Sequence, residues 1–289
     1  MKESSLNILN RIQLNYKKLS KGQRLIADYI INNYDKVAFM TASKLGEKVG
    51  VSESTVVRFA TALGYGGYPK LQKELQEFIK TKLTTVQRLE LSSDYNDEED
   101  ILKKVMKADV ENIKKTIEET DAYVFQSVTD IILEAKKVYI LGLRSSTVLA
   151  EYLGFYLNFI LDDVSVVPSG INDVFDQLIN IDEKDVIIGI SFPRYSKKTL
   201  EALKYAKTKR AAIIGITDSN YSPIKEIADF TLTARSNMAS FVDSLVAPMS
   251  LINALIVGVS MKEKDKITST FKTLENIWNE YDIYLKNRD

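Results

Sequence analysis

Two short segments of the chain combine hydroxyl side chains with an arginine directly after an apolar run. Hydroxyls, a guanidinium and the backbone N–H groups at the start of a helix together favour binding of an anion such as phosphate. Each segment also has a simpler interpretation, in which the serines cap helices and the arginines face solvent. The candidate ligand-binding residues are Arg144, Ser145, Ser146, Ser191, Arg194, Tyr195 and Ser196.

A second pattern that could carry a function lies in residues 42–61, ASKLGEKVGVSESTVVRFAT. Its apolar residues have the spacing of two short packed helices, with Gly50 at the turn between them and Ser52 placed to cap the second helix. This packing leaves Ser52, Glu53, Ser54, Thr55 and Arg58 as the outward face of the second helix. Hydroxyls and an arginine there are suited to phosphate and base-edge contacts in a DNA major groove, although an ordinary helical hairpin is the alternative.

The sequence contains no cysteine and no histidine, which excludes disulfides, thiolate and imidazole metal ligands, and imidazole acid–base catalysis. Carboxylates such as Glu151 and Glu201 remain as possible proton shuttles. Both fall on amphipathic helical patterns, where a solvated or capping role is favoured. We therefore predict no catalytic residue, no cofactor and no metal.

Charge is distributed unevenly along the 289 residues. Residues 1–90 hold 15 Lys/Arg against 8 Asp/Glu, a net charge of +7, and the remainder carries −7. A basic N-terminal part is typical of a protein that binds the phosphate backbone of nucleic acid, although random surface charge would give the same count. The sequence has neither an 18-residue apolar stretch nor a secretory signal, so we expect a cytoplasmic protein that does not bind membranes.

Helical periodicity predicts an all-α first domain over residues 1–83. Ser20 and Gln23 form a predicted capping box, and a helix is expected from there to about Asn33. Residues 84–100 lose apolar periodicity and end in acidic residues, which is typical of a linker or a helix start. The second domain is then expected over residues 101–289.

Short β-branched apolar runs in the second domain predict buried parallel strands: VYILGL, VSVVP, DVIIGIS, AAIIGIT and a short strand at 230–233. Helical patterns alternate with them over 145–161, 172–180, 197–208 and 222–228, and a long helix is expected from Phe241. The fold class is therefore α/β with a doubly wound, flavodoxin-like parallel sheet. Ligands bind at the carboxyl ends of such strands, where the two serine loops and a third loop at Thr217, Asp218 and Ser219 lie.

The N-terminal segment STVVRFATALGYGGYPKLQKEL closely resembles the helix-turn-helix domain of RpiR-type regulators, and the resemblance spans about residues 5–80. It includes the arginine, the Gly64-Tyr65 turn and the Gly67-Tyr68-Pro69 entry to the next helix. The resemblance implies a winged-helix-like or extended helix-turn-helix protein that binds a palindromic operator as a dimer. The expected DNA contacts are Lys44, Ser52, Glu53, Ser54, Thr55, Arg58, Tyr65 and Lys70.

Residues 121–260 resemble a SIS (sugar isomerase) domain, the domain that accompanies the helix-turn-helix in this family. The resemblance implies that Ser145, Ser146, Ser191 and Ser196 contact the phosphate or sugar of a phosphosugar. The second loop departs from the family pattern, because Pro193 and Arg194 stand where serine and glycine are usual. An arginine there favours an acidic or N-acetylated sugar phosphate.

We therefore predict a DNA-binding regulator of sugar-metabolism genes whose partners are double-stranded operator DNA and a phosphosugar effector. A homodimer or a dimer of dimers is expected. The apolar C-terminal helices either form the dimer interface or simply cover the sheet. Two alternatives are kept: a sugar-phosphate isomerase or lyase, disfavoured by the missing histidine, and a phosphosugar-binding scaffold that contacts only proteins.

Overall fold

The chain divides into two units, residues 1–90 and 91–289. The computed structural model describes residues 8–82, 84–90, 100–168, 173–238 and 241–285. In the first unit every regular element among the described residues is helical, which confirms the predicted all-α class and favours the helical over the winged form of the motif. Its helices are α1 (Ile8–Asn15), α2 (Lys21–Val37), α3 (Ala42–Val49), α4 (Glu53–Ala62), α5 (Tyr68–Lys82) and α6 (Thr85–Glu90).

The start of α2 is set by the predicted capping box. The Gln23 N–H donates to Ser20 Oγ at 3.4 Å, and Gln23 Oε1 accepts from the Ser20 N–H at 3.0 Å. The helix continues past its predicted end near Asn33 to Val37. The backbone of Asn33 is non-helical, with φ −141°, and produces a kink but does not end the helix. Helix α6 lies inside the stretch that the sequence predicts as linker.

Helix α5 fixes the loop that leads into α3. The Tyr68 hydroxyl and the Gln72 side-chain amide both donate to the Met40 carbonyl, at 2.9 and 2.8 Å. The Gln76 amide donates to the Ala38 carbonyl at 2.9 Å. These bonds satisfy the carbonyls between α2 and α3, where no helical partner exists, and so hold the beginning of α3 in place.

The described residues of the second unit form five strands and seven helices. The strands are β1 (Val138–Gly142), β2 (Val164–Val167), β3 (Val186–Ile190), β4 (Ala212–Thr217) and β5 (Phe230–Thr233). The helices are α7 (Ile101–Glu119), α8 (Ala122–Glu134), α9 (Thr147–Leu157), α10 (Val174–Gln177), α11 (Lys197–Thr208), α12 (Val246–Lys262) and α13 (Lys264–Glu280).

The strands form one fully parallel sheet in the order β2-β1-β3-β4-β5. One face packs against α8, α9 and α12 through residues such as Ile140, Ile188 and Leu153. The other face packs against α10 and α11 through residues such as Ile187 and Leu203. This is the predicted doubly wound architecture.

The prediction of a helix over residues 222–228 is wrong. That stretch is a series of turns closed by bonds such as Lys225 N–H to the Ser222 carbonyl at 3.0 Å. The Ser222 hydroxyl accepts from the Ile224 N–H at 3.3 Å and also bonds Thr217 Oγ1 at 2.7 Å. A serine side chain that takes a local backbone donor competes with helix formation, and here it also ties the turn to β4.

Helix α12 begins later than predicted, and helix α13 lies on the surface. Helix α12 begins at Val246, not Phe241, because Ser244 Oγ accepts the Val246 N–H at 3.3 Å just before it. Helix α13 has no buried residue. Among the described residues no single helix has the length and apolar character needed to cross a membrane. Helices α12 and α13 meet that requirement only when taken together, and they are bent by 101° where they join.

We predict that Gly46→Ala destabilises the helix-turn-helix. A Cβ at this position would lie 2.7 Å from the Val51 carbonyl oxygen and 3.3 Å from the Glu53 nitrogen, both backbone atoms that cannot move alone. The cost should be about 1–3 kcal/mol, as for other overpacked sites. Urea unfolding of the full chain followed by circular dichroism would measure it.

Gly22→Ala is the matched control, because its Cβ would meet only side-chain methyls at 3.5 and 3.6 Å. It should leave stability unchanged or raise it by up to about 1 kcal/mol. Equal effects of the two substitutions would show that the close approach at Gly46 is not a constraint.

Candidate functional site

The α3–α4 hairpin has the geometry of a helix-turn-helix. Thr41 caps α3 by accepting the Lys44 N–H at 3.2 Å. Gly50 ends the helix in the left-handed conformation, with φ 75°, as predicted. The Val51 N–H then returns to the Gly46 carbonyl at 2.8 Å, which closes the turn and aims α4 across α3.

The predicted outward face of α4 is formed by a short network of hydroxyls that ends in a guanidinium. Ser52 stands at the N-cap position, but its side chain does not cap the backbone as expected. Instead Ser52 Oγ lies 2.9 Å from both Ser54 Oγ and Thr55 Oγ1, and the Arg58 guanidinium donates to Thr55 Oγ1 at 3.3 Å. Ser52, Ser54 and Arg58 are exposed and Thr55 is half-buried, so the network can exchange its internal bonds for contacts with a ligand.

The other expected DNA contacts divide into exposed and buried side chains. Glu53, on the first turn of α4, Lys44, on α3, and Lys70, near the start of α5, are exposed. Tyr65 is only 8% exposed, so it does not present a surface to DNA. Gly64, with φ 86°, reverses the chain after α4 and turns the Tyr65 ring inward, where it packs beneath the Arg11 guanidinium at 4.9 Å. Burial also raises the Tyr65 pKa well above its usual value. We therefore remove Tyr65 from the proposed interface.

In the second unit the two serine loops lie side by side. The chain leaves β1 for β2 on one side and then crosses to β3 on the other, so the carboxyl ends of β1 and β3 form a topological switch point. The loop after β1 contains Arg144 and the loop after β3 contains Arg194. Both arginines have left-handed backbones, with φ 60° and 66°. Two non-glycine residues held in this unfavourable region at neighbouring strand ends are typical of a functional site.

The loop after β3 is fixed by bonds to β4. The Ser191 N–H donates to the Ile216 carbonyl at 3.1 Å, and Thr217 Oγ1 donates to the Ser191 carbonyl at 2.8 Å. Further along the loop, the Tyr195 hydroxyl donates to Asp218 Oδ1 at 2.7 Å. Asp218 is 3% exposed, so this bond joins the middle of the loop to a buried carboxylate.

The serines of this loop make the bonds expected of capping residues. Ser196 Oγ accepts the Thr199 N–H at 3.3 Å and caps α11, while Ser191 Oγ accepts the Ser196 N–H at 3.3 Å. Capping uses a lone pair and leaves the hydroxyl proton available, so it does not conflict with a second role in binding an anion.

The predicted ligand-binding residues therefore surround one edge of the sheet with different exposures. Arg144, Ser145 and Arg194 are exposed, whereas Ser146 and Ser191 are each 4% exposed at the base of their loops. The half-buried residues are Tyr195 and Ser196. The bond from Tyr195 to Asp218 joins residues 23 positions apart, so no local sequence pattern predicts it.

The same strand ends are connected to α7. The Ala234 N–H donates to the Thr217 carbonyl at 2.8 Å, and the next N–H, that of Arg235, donates to Thr116 Oγ1 at 2.9 Å. The Arg235 guanidinium forms a two-bond ion pair with Glu119, in which Nε–Oε2 is 2.7 Å. Thr116 and Glu119 lie on α7, so a continuous set of hydrogen bonds runs from the loop after β3 to this helix. No local sequence pattern predicts this connection, because it joins residues 116 or more positions apart.

Comparison with known proteins identifies both units. Residues 6–82 match the model of the helix-turn-helix domain, rpiR family, and residues 131–258 match the SIS domain. An uncharacterized HTH-type transcriptional regulator of Clostridium perfringens is 25% identical over 95% of this chain and its own full length. The sugar isomerase domain of an RpiR transcription factor from Sphaerobacter thermophilus superimposes with a TM-score of 0.59 at 25% identity, over 61% of this chain and 99% of that one.

The fold also matches that of the Vibrio vulnificus NanR protein in complex with ManNAc-6P. The TM-score is 0.57 at 21% identity, and the match covers 94% of this chain and 98% of that one. The chain is thus similar over nearly its full length to a protein described as an HTH-type transcriptional regulator.

We predict that Tyr195→Phe destabilises the second unit by about 1–3 kcal/mol, because it leaves the buried Asp218 carboxylate without its phenolic donor. Tyr221→Phe is the control, since Tyr221 is 68% exposed and its ring keeps its surroundings. Thermal unfolding of the full chain measures both. An unchanged unfolding temperature for Tyr195→Phe would mean that the Tyr195–Asp218 bond does not hold the loop.

Proposed function

We propose that the chain is an RpiR-type transcriptional regulator, in which a phosphosugar bound at the ends of β1 and β3 controls the affinity for operator DNA. The matches of residues 6–82 to the helix-turn-helix domain, rpiR family, and of residues 131–258 to the SIS domain support this proposal. The regulated genes are proposed to be those of sugar metabolism, and the protein acts in the cytoplasm, where it reaches DNA. The observation that carries the proposal is the pairing of two hydroxyl- and arginine-containing loops at the switch point of the sheet.

The proposed ligand carries a phosphate group. Backbone N–H groups where the loops enter α9 and α11, together with hydroxyls at 145, 146 and 191, suit phosphate oxygens. Arg144 and Arg194 supply two positive charges, one from each loop. A guanidinium pairs bidentately with a carboxylate as well as with a phosphate, and it can also donate to the carbonyl oxygen of an N-acetyl group. We therefore favour a phosphorylated sugar acid or an N-acetylated sugar phosphate over an unmodified sugar phosphate.

Operator DNA is proposed to contact the exposed side of the α3–α4 hairpin. Ser52, Ser54, Thr55 and Arg58 lie along the first two turns of α4, the part of a recognition helix that reaches base edges. The net charge of +7 over residues 1–90 supplies the sequence-independent attraction to phosphates. A homodimer is proposed to read the two halves of a palindromic operator.

The connection from the loop after β3 to α7 gives the proposal its mechanism. A ligand that pulls on Ser191 or Tyr195 acts on Thr217 and Asp218, and through Thr217 on the segment at 234–235 that is bonded to α7. Among the described residues, helix α7 is the first helix of the second unit, after the unit that contains the helix-turn-helix. Ligand binding therefore changes the preferred position of α7, the helix that follows the DNA-binding domain in the chain. By linkage, this change alters operator affinity.

We predict that Arg58→Ala weakens binding to DNA taken from upstream of the protein's own gene by about 1–3 kcal/mol, the range for a base-reading arginine. It should also reduce the preference for that DNA over an unrelated duplex. Lys36→Ala removes one exposed positive charge at the end of α2, outside the hairpin, and should leave the preference unchanged. Fluorescence anisotropy titrations at two salt concentrations measure both effects. Equal preference in wild type and Arg58→Ala would remove Arg58 from the base-reading set.

We predict that Arg194→Ala weakens effector binding roughly 10- to 100-fold, the equivalent of a charge-assisted hydrogen bond. Arg210→Ala is the matched control. Arg210 also has a left-handed backbone, with φ 63°, but it precedes β4 and so lies at the opposite edge of the sheet. Calorimetry against hexose, pentose and amino-sugar 6-phosphates, including ManNAc-6P, and against phosphorylated sugar acids identifies the effector. Unchanged affinity in Arg194→Ala would refute the role of this arginine.

A further inference from the structure

One strip of helix α4 carries side chains that differ in kind from the hydroxyl and guanidinium network beside it. Glu53, Val57 and Thr61 follow one another at intervals of four residues, so they lie along one line of the helix. All three are exposed, and Val57 is 39% exposed although its side chain is apolar. These three residues form the α4 strip, in which a carboxylate is followed by an apolar side chain.

The groups of the α4 strip are not used up inside the protein. Among the described residues, the Glu53 carboxylate takes part in no hydrogen bond or ion pair. Its place on the first turn stabilises it instead, because the N-terminal end of a helix favours a negative charge. Thr61 Oγ1 donates to the Val57 carbonyl at 3.2 Å, which uses the hydroxyl proton within the helix. The Thr61 methyl group then extends the apolar part of the strip.

The chemistry of the α4 strip suits DNA bases and not the phosphate backbone. A carboxylate repels phosphate, and an apolar side chain offers a phosphate oxygen no hydrogen bond. In the major groove, by contrast, the N4 amino group of cytosine donates to a carboxylate, and the C5 methyl group of thymine packs against an apolar side chain. Both of these groups belong to pyrimidines, so one class of base satisfies both ends of the strip.

We propose, as a refinement that rests on the DNA binding proposed above, that the α4 strip reads pyrimidines in each operator half-site. Glu53 accepts a hydrogen bond from a cytosine N4 amino group, and Val57 packs on a thymine methyl group. Four residues of helix rise by about 6 Å and one base step by about 3.4 Å, so the two bases lie within about two steps of each other. Arg58 and the hydroxyls beside the strip remain available for guanine and for phosphates.

Glu53→Ala separates base reading from the effect of charge. Duplexes with the sequence upstream of the protein's own gene, each with one C·G pair replaced by T·A, are compared by fluorescence anisotropy. Wild type should lose roughly 10-fold in affinity at one cytosine in each half-site, and Glu53→Ala should show no loss there. Loss of the negative charge should at the same time raise the affinity for an unrelated duplex.

Glu47→Ala is the matched control, because Glu47 is an exposed carboxylate of the same hairpin but lies on α3. It should also raise the affinity for the unrelated duplex, since it removes the same charge. Its dependence on each C·G pair should be that of wild type. A carboxylate that only stabilises the helix start would give Glu53→Ala this same result.

Thymine methyl groups are tested by replacing one thymine at a time with uracil, which keeps the base pair and removes only the methyl group. Wild type should lose roughly fourfold in affinity at one thymine in each half-site, the value for one buried methyl group. Val57→Ala should lose much less at that thymine. Leu14→Ala is the control, since Leu14 is 66% exposed but lies on α1, and its response should be that of wild type.

The substituted positions are exposed, so far-UV circular dichroism should show folded proteins throughout. Wild type that binds no duplex specifically would contradict the proposed function, and the reading of pyrimidines with it. Specific binding in which no cytosine is coupled to residue 53, or no thymine methyl group to residue 57, would overturn the reading of pyrimidines and leave the proposed function standing.

Discussion

The parallel pairing of β1 with β3 is the constraint on which the functional part of the second unit depends. The chain crosses from β2 over β1 to β3, so β1 and β3 are neighbours. Because they run parallel, the loops at Arg144 and Arg194 lie at the same edge of the sheet. The buried hydroxyl of Thr217 then fixes the second loop by its bond to the Ser191 carbonyl. Buried hydrogen bonds of this kind stabilise the left-handed backbone conformation of the arginines, which would be unfavourable in an isolated loop.

The same buried bonds connect the proposed ligand site to α7. Thr217 bonds the loop after β3 with its side chain and the segment at 234 with its carbonyl, so one residue serves both. From there Arg235 binds α7 with its backbone N–H and its guanidinium. The ion pair with Glu119 is only partly exposed, at 13% for the Arg235 side chain and 40% for Glu119, so solvent weakens it less than it weakens a surface pair. Helix α7 thus connects the proposed ligand site with the part of the chain that leads to the first unit.

Much of the fold could be predicted from the sequence because its signals are local. The Ser20–Gln23 capping box, the left-handed Gly50 and the β-branched runs each specify an element through neighbours within a few residues. The errors have two causes. Local side-chain bonds compete with the expected structure where Ser52 bonds Ser54 and Thr55 instead of capping α4, and where Ser222 bonds Thr217 at the end of β4 instead of starting a helix. A contact distant in sequence decides at Tyr65, which turns into the core beneath Arg11. The Tyr195–Asp218 and Arg235–Glu119 contacts depend on the assembled sheet, so a pattern of spacing contains no trace of them.

Ligand binding and operator binding are proposed to be coupled within one protein. The most direct test is to measure operator affinity of the full chain with no sugar phosphate and again at a saturating concentration of the sugar phosphate that calorimetry identifies. Coupled sites should change operator affinity roughly 5- to 150-fold, the usual range of allosteric coupling, and should change sugar-phosphate affinity equally when operator DNA is saturating. Operator affinity that stays the same while the sugar phosphate is bound would show that the two sites are not coupled.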